Sequence, residues 1–295
     1  MIAAVVVTYN RVEMLQKCLD ALLAQTAGCD ILVIDNASTD PTAEVCSTYT
    51  EKHGNIRYFN TGANLGGAGG FQYGMRTAVC LGYDYVWVMD DDCYPDPDAL
   101  EVLMHADSQL EGNYGFLSSK AVWTDGSLCE MNIQRHSLSV PIQREIVNDL
   151  TEIRIASFVS MLIRAEAIRK AGLPIKEFFI WTDDWEYSLR LSKNFPCYLV
   201  KDSKVTHACA NNIPANIWDD QPERFGRYRY RYRNDVYLYR EAGLHILPYA
   251  AARIVKHIAK VILCAKNRKA ERIGIILGGT ARGFRFSPEI EYCDD

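Results

Sequence analysis

Three consecutive carboxylates, Asp90, Asp91 and Asp92, close an apolar run in "YVWVMDDDCYP". Adjacent like charges repel, so the triplet calls for a cation or strong donors beside it. A solvated turn entering a helix start, continued by Asp96 and Asp98, is one account of it. A hard-cation site is another, because Mg2+ and Mn2+ take carboxylate oxygens and keep positions open for substrate phosphates. A second acidic group, Asp183, Asp184 and Glu186 in "WTDDWEYSLRL", follows an aromatic run and opens a helix. Asp183 there can be a cap. A carboxylate in that place can also be a general base, which needs an ionised oxygen within reach of a substrate hydroxyl. His207 closes "CYLVKDSKVTH", read as two short strands, and its place after both acidic groups makes it the histidine best suited to be a third ligand.

The glycines of "NLGGAGGFQYGM" allow close backbone approach to a ligand at a helix start, where free N–H groups favour anions. The stretch lacks the G-K-[ST] of a P-loop, and Gln72 stands where G-x-G-x-x-G needs its third glycine. A tight turn packing a helix on a sheet explains the same residues.

These groups need a scaffold, and the first hundred residues supply one. "IAAVVVTYN", "DILVIDNAS", "IRYFN" and "YDYVWVMD" read as strands, separated by helical segments. "VEMLQKCLDALLAQ" sets Met14, Leu15, Cys18 and Leu22 on one face, and "STDPTAEVCSTYTEK" opens with Ser38 or Thr39 as N-cap and Pro41 in the first turn. This alternation predicts βαβ units and a parallel sheet. Ligands then sit beyond the carboxyl ends of the strands, where Thr8 to Arg11, Asp35 to Ser38, Asn60 to Gly70 and Asp90 to Asp92 converge. Between about residues 112 and 164, short segments with turn signals predict mixed or antiparallel strands.

The chain has 295 residues, 48% hydrophobic and 23% charged, enough for one large domain and an appendage. Its start is too short and lacks the basic flank of a secretory leader, and no run approaches the roughly 18 apolar residues of a membrane span. Ten scattered cysteines without a C-x-x-C pair suggest reduced, mostly buried thiols in a cytosolic protein, with neither a disulfide framework nor a zinc site. The net charge of −5 hides an asymmetry: Arg224 to Phe286 carries fifteen Arg and Lys against three acidic residues. That segment seeks an anionic partner.

Taken in order, "VVVTYNR", "VIDNASTD", "NLGGAGGF", "VMDDDCYP" and "WTDDWEYSLRL" resemble the inverting family 2 glycosyltransferases over roughly residues 1–210. Within that family the galactofuranosyltransferase and rhamnosyltransferase branch is the most similar. The resemblance implies a GT-A fold, α/β with a Rossmann-like mixed sheet flanked by helices. The shift in composition near residue 212 divides the chain into a catalytic domain over 1–212 and a basic, aromatic-rich helical region over 213–295. The resemblance also implies that Asp90 and Asp92, with His207, hold a divalent cation, Mn2+ or Mg2+, and that Thr8, Asn10, Arg11, Asp35, Asn64, Gly66, Gly67 and Asp91 line the nucleotide-sugar site. Asp184 becomes the base, with Asp183 as the alternative because many relatives have Glu-Asp there. The donor is expected to be UDP-galactofuranose, with dTDP-rhamnose the other choice, and the acceptor a lipid-linked or surface glycan.

In the C-terminal region, Phe225, Tyr228, Tyr232, Val236 and Tyr239 fall at helical spacing, which favours an amphipathic helix over an RNA-binding stretch. Beyond Pro248, Ile254, Ile258, Val261, Ile262 and Ala265 form an apolar face with Arg253, Lys256 and Lys260 on the other side. Such a helix can lie in an anionic membrane interface or pack on the catalytic domain. A peripheral position on the inner face of the cell membrane is the expectation, with no nucleic-acid partner and with homo-oligomerisation left open. The rivals are a glycoside hydrolase with two carboxylates and a nucleic-acid or membrane-binding module with a degenerate nucleotide-sugar domain.

Overall fold

The computed structural model describes residues 1–293. In chain order the first half runs β1 (Ile2–Thr8), α1 (Val12–Leu23), β2 (Asp30–Asp35), α2 (Thr42–Lys52), β3 (Ile56–Asn60), α3 (Gly66–Cys80), β4 (Tyr85–Asp90), β5 (Cys93–Pro95) and α4 (Ala99–Gln109). There follow β6 (Phe116–Val122), β7 (Leu150–Glu152), β8 (Met161–Arg164), α5 (Ala165–Ala171), α6 (Asp183–Leu191) and β9 (Tyr198–His207), then α7 (Phe225–Ala242), α8 (Leu247–Cys264) and α9 (Lys269–Gly283).

One mixed sheet runs in the order β3-β2-β1-β4-β8-β6-β9-β5, with β7 also on β9. The β3, β2, β1 and β4 strands are parallel, as the alternation required. Antiparallel pairing enters at β8 and returns where β5 and β7 meet β9. Central β1 is covered on both faces, which is why Ala3 to Val7 form an unbroken apolar run. On one side α3 lies close over β1 and β2: a Cβ on Gly74 would fall 2.4 Å from Val5 Cγ1, so only glycine lets the helix approach this far. On the other side Leu15, Cys18, Leu19 and Leu22 of α1 are buried against the sheet.

Three local expectations change. Neither Ser38 nor Thr39 caps α2. Asp40 accepts from the Thr42 amide at 3.2 Å instead, while Ser38 Oγ accepts from the Asn10 amide and Thr39 Oγ1 donates to Asn10 Oδ1. The two short strands expected before His207 are one strand, irregular where its partner steps from Ser119 to Lys120. Arg253 does not lie with Lys256 and Lys260 on a solvated face. It turns inward to Asp235 at 3.3 Å, since Asp235 is a buried carboxylate in need of a cation.

The aromatic stripe of α7 is buried, and α7 packs along α9. No helix among the described residues is long and apolar enough to cross a membrane.

Candidate active site

Asp90 ends β4, and Asp91 and Asp92 form the turn into β5. Strand β5 pairs antiparallel with β9, Cys93 facing His207, so the ladder itself brings His207 beside the triplet. His207 Nε2 lies 3.2 Å from Asp92 Oδ1. Arg11, just ahead of α1, donates from Nη1 to Asp92 Oδ2 at 2.9 Å and lies 3.2 Å from Asp91 Oδ1. Thr8 Oγ1 donates to Asp91 Oδ2 at 2.8 Å. The cation that the triplet called for is therefore present in part as Arg11 and His207.

The compensation is uneven. Burial, then the charges of Asp92 and Asp91, push Asp90 up to about 8. Burial pushes Asp91 up to about 6 despite Arg11. Burial also works against ionising Asp92, but hydrogen bonds from His207 and Arg11 hold it below the usual carboxylate range. Burial disfavours charging His207, yet its bond to Asp92 outweighs that and raises the imidazole to about 10. Arg11 and His207 thus do not supply enough positive charge to ionise Asp90 and Asp91 as readily as free carboxylates. A set of carboxylate oxygens and one imidazole with such a deficit fits a hard divalent cation. Burial drives the Cys93 thiol well above its ordinary range, so it stays protonated and is no nucleophile.

The glycine-rich turn joins this edge. Asn64 Oδ1 accepts from the Gly66 amide at 2.9 Å, and buried Asn36 donates to the Gly66 carbonyl at 2.9 Å. Gly66 has φ +72, and a Cβ there would fall 2.1 Å from the Phe179 carbonyl oxygen, so glycine is required twice over. At Gly67 a Cβ would meet nothing within 4 Å. Two expected nucleotide-site residues are otherwise engaged. Asp35 has no exposed surface and accepts from Tyr58 Oη at 2.6 Å and the Ser38 amide at 2.9 Å. Asn10, with φ 54, accepts from the Thr39 amide at 2.7 Å and so ties the loop after β1 to that after β2. In this conformation Asp35 presents no free acceptor to a ligand.

The start of α6 lies within range of the charge of Asp90. The chain reaches it through Phe179, Trp181 and Thr182, all in the left-handed region, with φ of 63, 65 and 73. Buried Asn234 of α7 holds that course, donating to the Phe178 and Trp181 carbonyls at 3.0 and 2.9 Å, while Thr182 Oγ1 donates to Asp235 at 2.9 Å. Asp183 is buried, Asp184 is partly accessible, and Glu186 is held by Arg190 at 2.8 Å. Burial, then the charges of Asp183 and Asp90, raise Asp184 well above its usual range. The two acidic groups are therefore near enough to sense each other's charge, and Asp184 is the better exposed of its pair.

Sequence reasoning missed Asn132, Asn234 and Arg227. Asn132 Oδ1 lies 2.7 Å from His207 Nδ1, which leaves Nε2 turned to Asp92. Burial and the charges of Arg224 and Arg11 lower Arg227, so the basic segment reaches the same edge. The long separations in sequence gave no signal for these partners.

Comparison with known proteins agrees with this arrangement. Residues 3–172 match the Glycosyl transferase family 2 profile. The chain is 28% identical over 276 residues to galactofuranosyltransferase GlfT1 of Mycolicibacterium smegmatis, covering 83% of this chain and 85% of that one. Mannosyltransferase PcManGT from Pyrobaculum calidifontis, solved with GDP-Man and Mn2+, superposes over 97% of this chain and 75% of its own with a TM-score of 0.57 at 15% identity. S. aureus TarS 1–349 in complex with UDP does so over 97% and 72%, with a TM-score of 0.55 at 17% identity. The likeness to these two structures establishes the GT-A fold, and the profile match over more than half the chain establishes that this protein is a glycosyltransferase belonging to family 2.

Proposed function

We propose that the protein transfers galactofuranose from UDP-galactofuranose to a hydroxyl of a lipid-linked or surface glycan, with inversion and with a divalent cation. The observation that carries this is the nearness of two unlike acidic groups: Asp90 to Asp92 beside His207 at strand ends, and Asp184, close enough for Asp90 to raise it, at a helix start. The similarity to galactofuranosyltransferase GlfT1 over most of both chains supports the choice of sugar.

In this reading Asp90, Asp92 and His207 hold Mn2+ or Mg2+. The ion supplies Lewis-acid neutralisation of the charge that grows on the departing diphosphate. Arg11 adds a fixed positive charge on the same side, and Thr8 and Asn64 keep Asp91 and the Gly66 turn in place. The open space beside Gly67 admits the donor to the helix N-terminus. Asp184 takes the proton from the attacking acceptor hydroxyl at the opposite face of the anomeric carbon, and displacement in one step inverts that centre. A divalent cation beside Asp90 would offset the part of the Asp184 shift that comes from the charge of Asp90. Asp183 is buried and lacks the access a base needs.

The exposed side of α8 suits a peripheral position on an anionic membrane surface. Leu247, Val255, Ile262 and Leu263 are exposed there, beside exposed Lys256, Lys260 and Lys266.

A screen of sugar nucleotides for hydrolysis and transfer tests the reading. Turnover of UDP-galactofuranose, dependent on added Mn2+ or Mg2+, is expected. Turnover of another sugar nucleotide alone would replace the donor, and full activity in a chelator would remove the cation.

A further inference from the structure

Behind His207, on the side away from Asp92, lies a cluster that the transfer reaction does not use. The chain leaving β9 is stitched to the loop after β6. Trp123 Nε1 donates to the Cys209 carbonyl at 3.0 Å, and Asn212 accepts from the Glu130 amide at 2.7 Å and donates to the Leu128 carbonyl at 2.9 Å. These bonds set Cys129 and Cys209 side by side against the imidazole. Cys129 Sγ is 3.6 Å from His207 Nδ1, and the two sulfurs and a ring nitrogen of His207 all lie within 4.8 Å of one another. Asn132 Oδ1 joins them, 2.9 Å from Cys129 Sγ and 2.7 Å from Nδ1. Tetrahedral metal–sulfur and metal–nitrogen bonds place such donors about 3.5–3.8 Å apart. The Cys129–His207 separation falls in that range before any ion is bound.

We propose that Cys129, Cys209 and Nδ1 of His207 form a second metal site, for a thiophilic divalent ion such as Zn2+, set back to back with the carboxylate site through the shared imidazole. Two sulfurs and a nitrogen select a softer ion than the oxygen-rich side does. The fourth position falls to the Asn132 oxygen or to water.

As each metal–sulfur bond forms, the thiol releases its proton to solvent. The imidazolium likewise releases its Nδ1 proton to solvent as that nitrogen takes the ion, so the proton that remains resides on Nε2, where it is donated to Asp92. His207 is then a hydrogen-bond donor toward Asp92 and has no lone pair to offer on that side. Filling the sulfur site therefore withdraws a ligand from the hard-cation site, and each ion weakens the other's binding. This coupling rests on the reading of His207 as a ligand in the transferase site; the sulfur site itself does not.

The test uses the full chain under a phosphine reductant, titrated with Co2+ as an optical probe. A thiolate-to-Co2+ charge-transfer band saturating at one equivalent and bleached by Zn2+ is expected. It should vanish in Cys209→Ser and Cys209→Ala and persist in Cys80→Ser, which removes an exposed thiol of α3. Calorimetry of UDP with Mn2+ should then show Zn2+ weakening binding by about tenfold or more in the wild type, and by less in Cys209→Ser. No band in the wild type, or one that survives both Cys209 variants, overturns the site. A Cys209-dependent band with UDP and Mn2+ binding indifferent to Zn2+ supports the sulfur site and overturns the shared role of His207.

Discussion

Arg11 Nη1 sits 2.9 Å from Asp92 Oδ2 and 3.2 Å from Asp91 Oδ1, and this one guanidinium joins the loop after β1 to the turn after β4. Its loss leaves two buried carboxylates short of a cation. Arg11→Ala should lower kcat/KM about ten- to hundredfold, the worth of hydrogen bonds to charged groups. It should also lower Tm when no divalent cation is present, and addition of Mn2+ should recover much of that loss in a melting assay. Equal loss with and without Mn2+ would place Arg11 outside the charge balance of the triplet.

The two acidic groups should fail in different ways. Asp92→Asn removes an anionic donor, and metal-dependent affinity for UDP should fall at least tenfold while the fold persists. Asp184→Asn should leave that affinity within about twofold and reduce transfer by 10²–10⁴, the usual share of a general base. Calorimetry beside initial rates separates the two. If Asp184→Asn loses UDP affinity as Asp92→Asn does, Asp184 belongs to the donor side.

Gly66→Ala should be costly without touching any ionisable group. It forces a side chain into a left-handed backbone and against the Phe179 carbonyl, and such strain amounts to about 1–3 kcal/mol. Because that carbonyl belongs to the loop before Asp184, kcat should drop more than Tm predicts. An unchanged kcat would uncouple α3 from the base.

Histidine 257 gives a pH dependence with a definite sign. His257 is buried against Trp218 and Tyr232, whose hydroxyl lies 2.9 Å from Nδ1. Burial, with the charges of Arg253, Arg231 and Lys256, lowers it to about 3. In the unfolded chain it titrates near 6.5. Between those values the unfolded state holds the extra proton, so this residue's contribution is intact above about pH 6.5 and is lost as pH falls toward 3. Carboxylates raised by folding, such as Asp90 and Asp183, act in the opposite direction. The difference between wild type and His257→Gln isolates the histidine: it should shrink by up to about 1.4 kcal/mol per pH unit below 6.5. A difference constant with pH would mean that the ring is protonated in the fold.

For the membrane, the structure changes which residues to alter. Arg253 is bound to Asp235, so Arg253→Glu should cost stability instead of lipid affinity. Lys256 and Lys260 are exposed on α8 and Lys266 just beyond its end, and each should contribute about 1 kcal/mol toward an anionic leaflet. Changing these three to Glu should abolish sedimentation with phosphatidylglycerol vesicles at low salt and leave transfer to a small acceptor intact. Equal binding to neutral vesicles would argue against the charge-led attachment.

Much of the strand framework was legible because each parallel strand announces itself by a run of apolar residues and ends in polar ones. Thr8, Arg11 and the triplet could be placed together on that rule alone. Asn132, Asn234 and the Arg253–Asp235 pair could not, because each joins segments that no periodicity relates. Arg253 was misplaced for a specific reason: helical spacing tells which residues share a face, but not that a neighbouring helix presents a buried carboxylate to the polar one.

Cys93 faces His207 across β5 and β9, so Asp92 and His207 keep their spacing by sheet register. Asp184 has no such rail: it heads a helix reached through three left-handed residues and steadied by Asn234 from α7. With Asp184 as the proposed base, a lineage could reshape that approach, or the helices behind it, and re-aim it at a different hydroxyl while the proposed strand-borne donor site went on receiving the same sugar nucleotide. Donor fidelity and acceptor diversity would then evolve on separate parts of one chain.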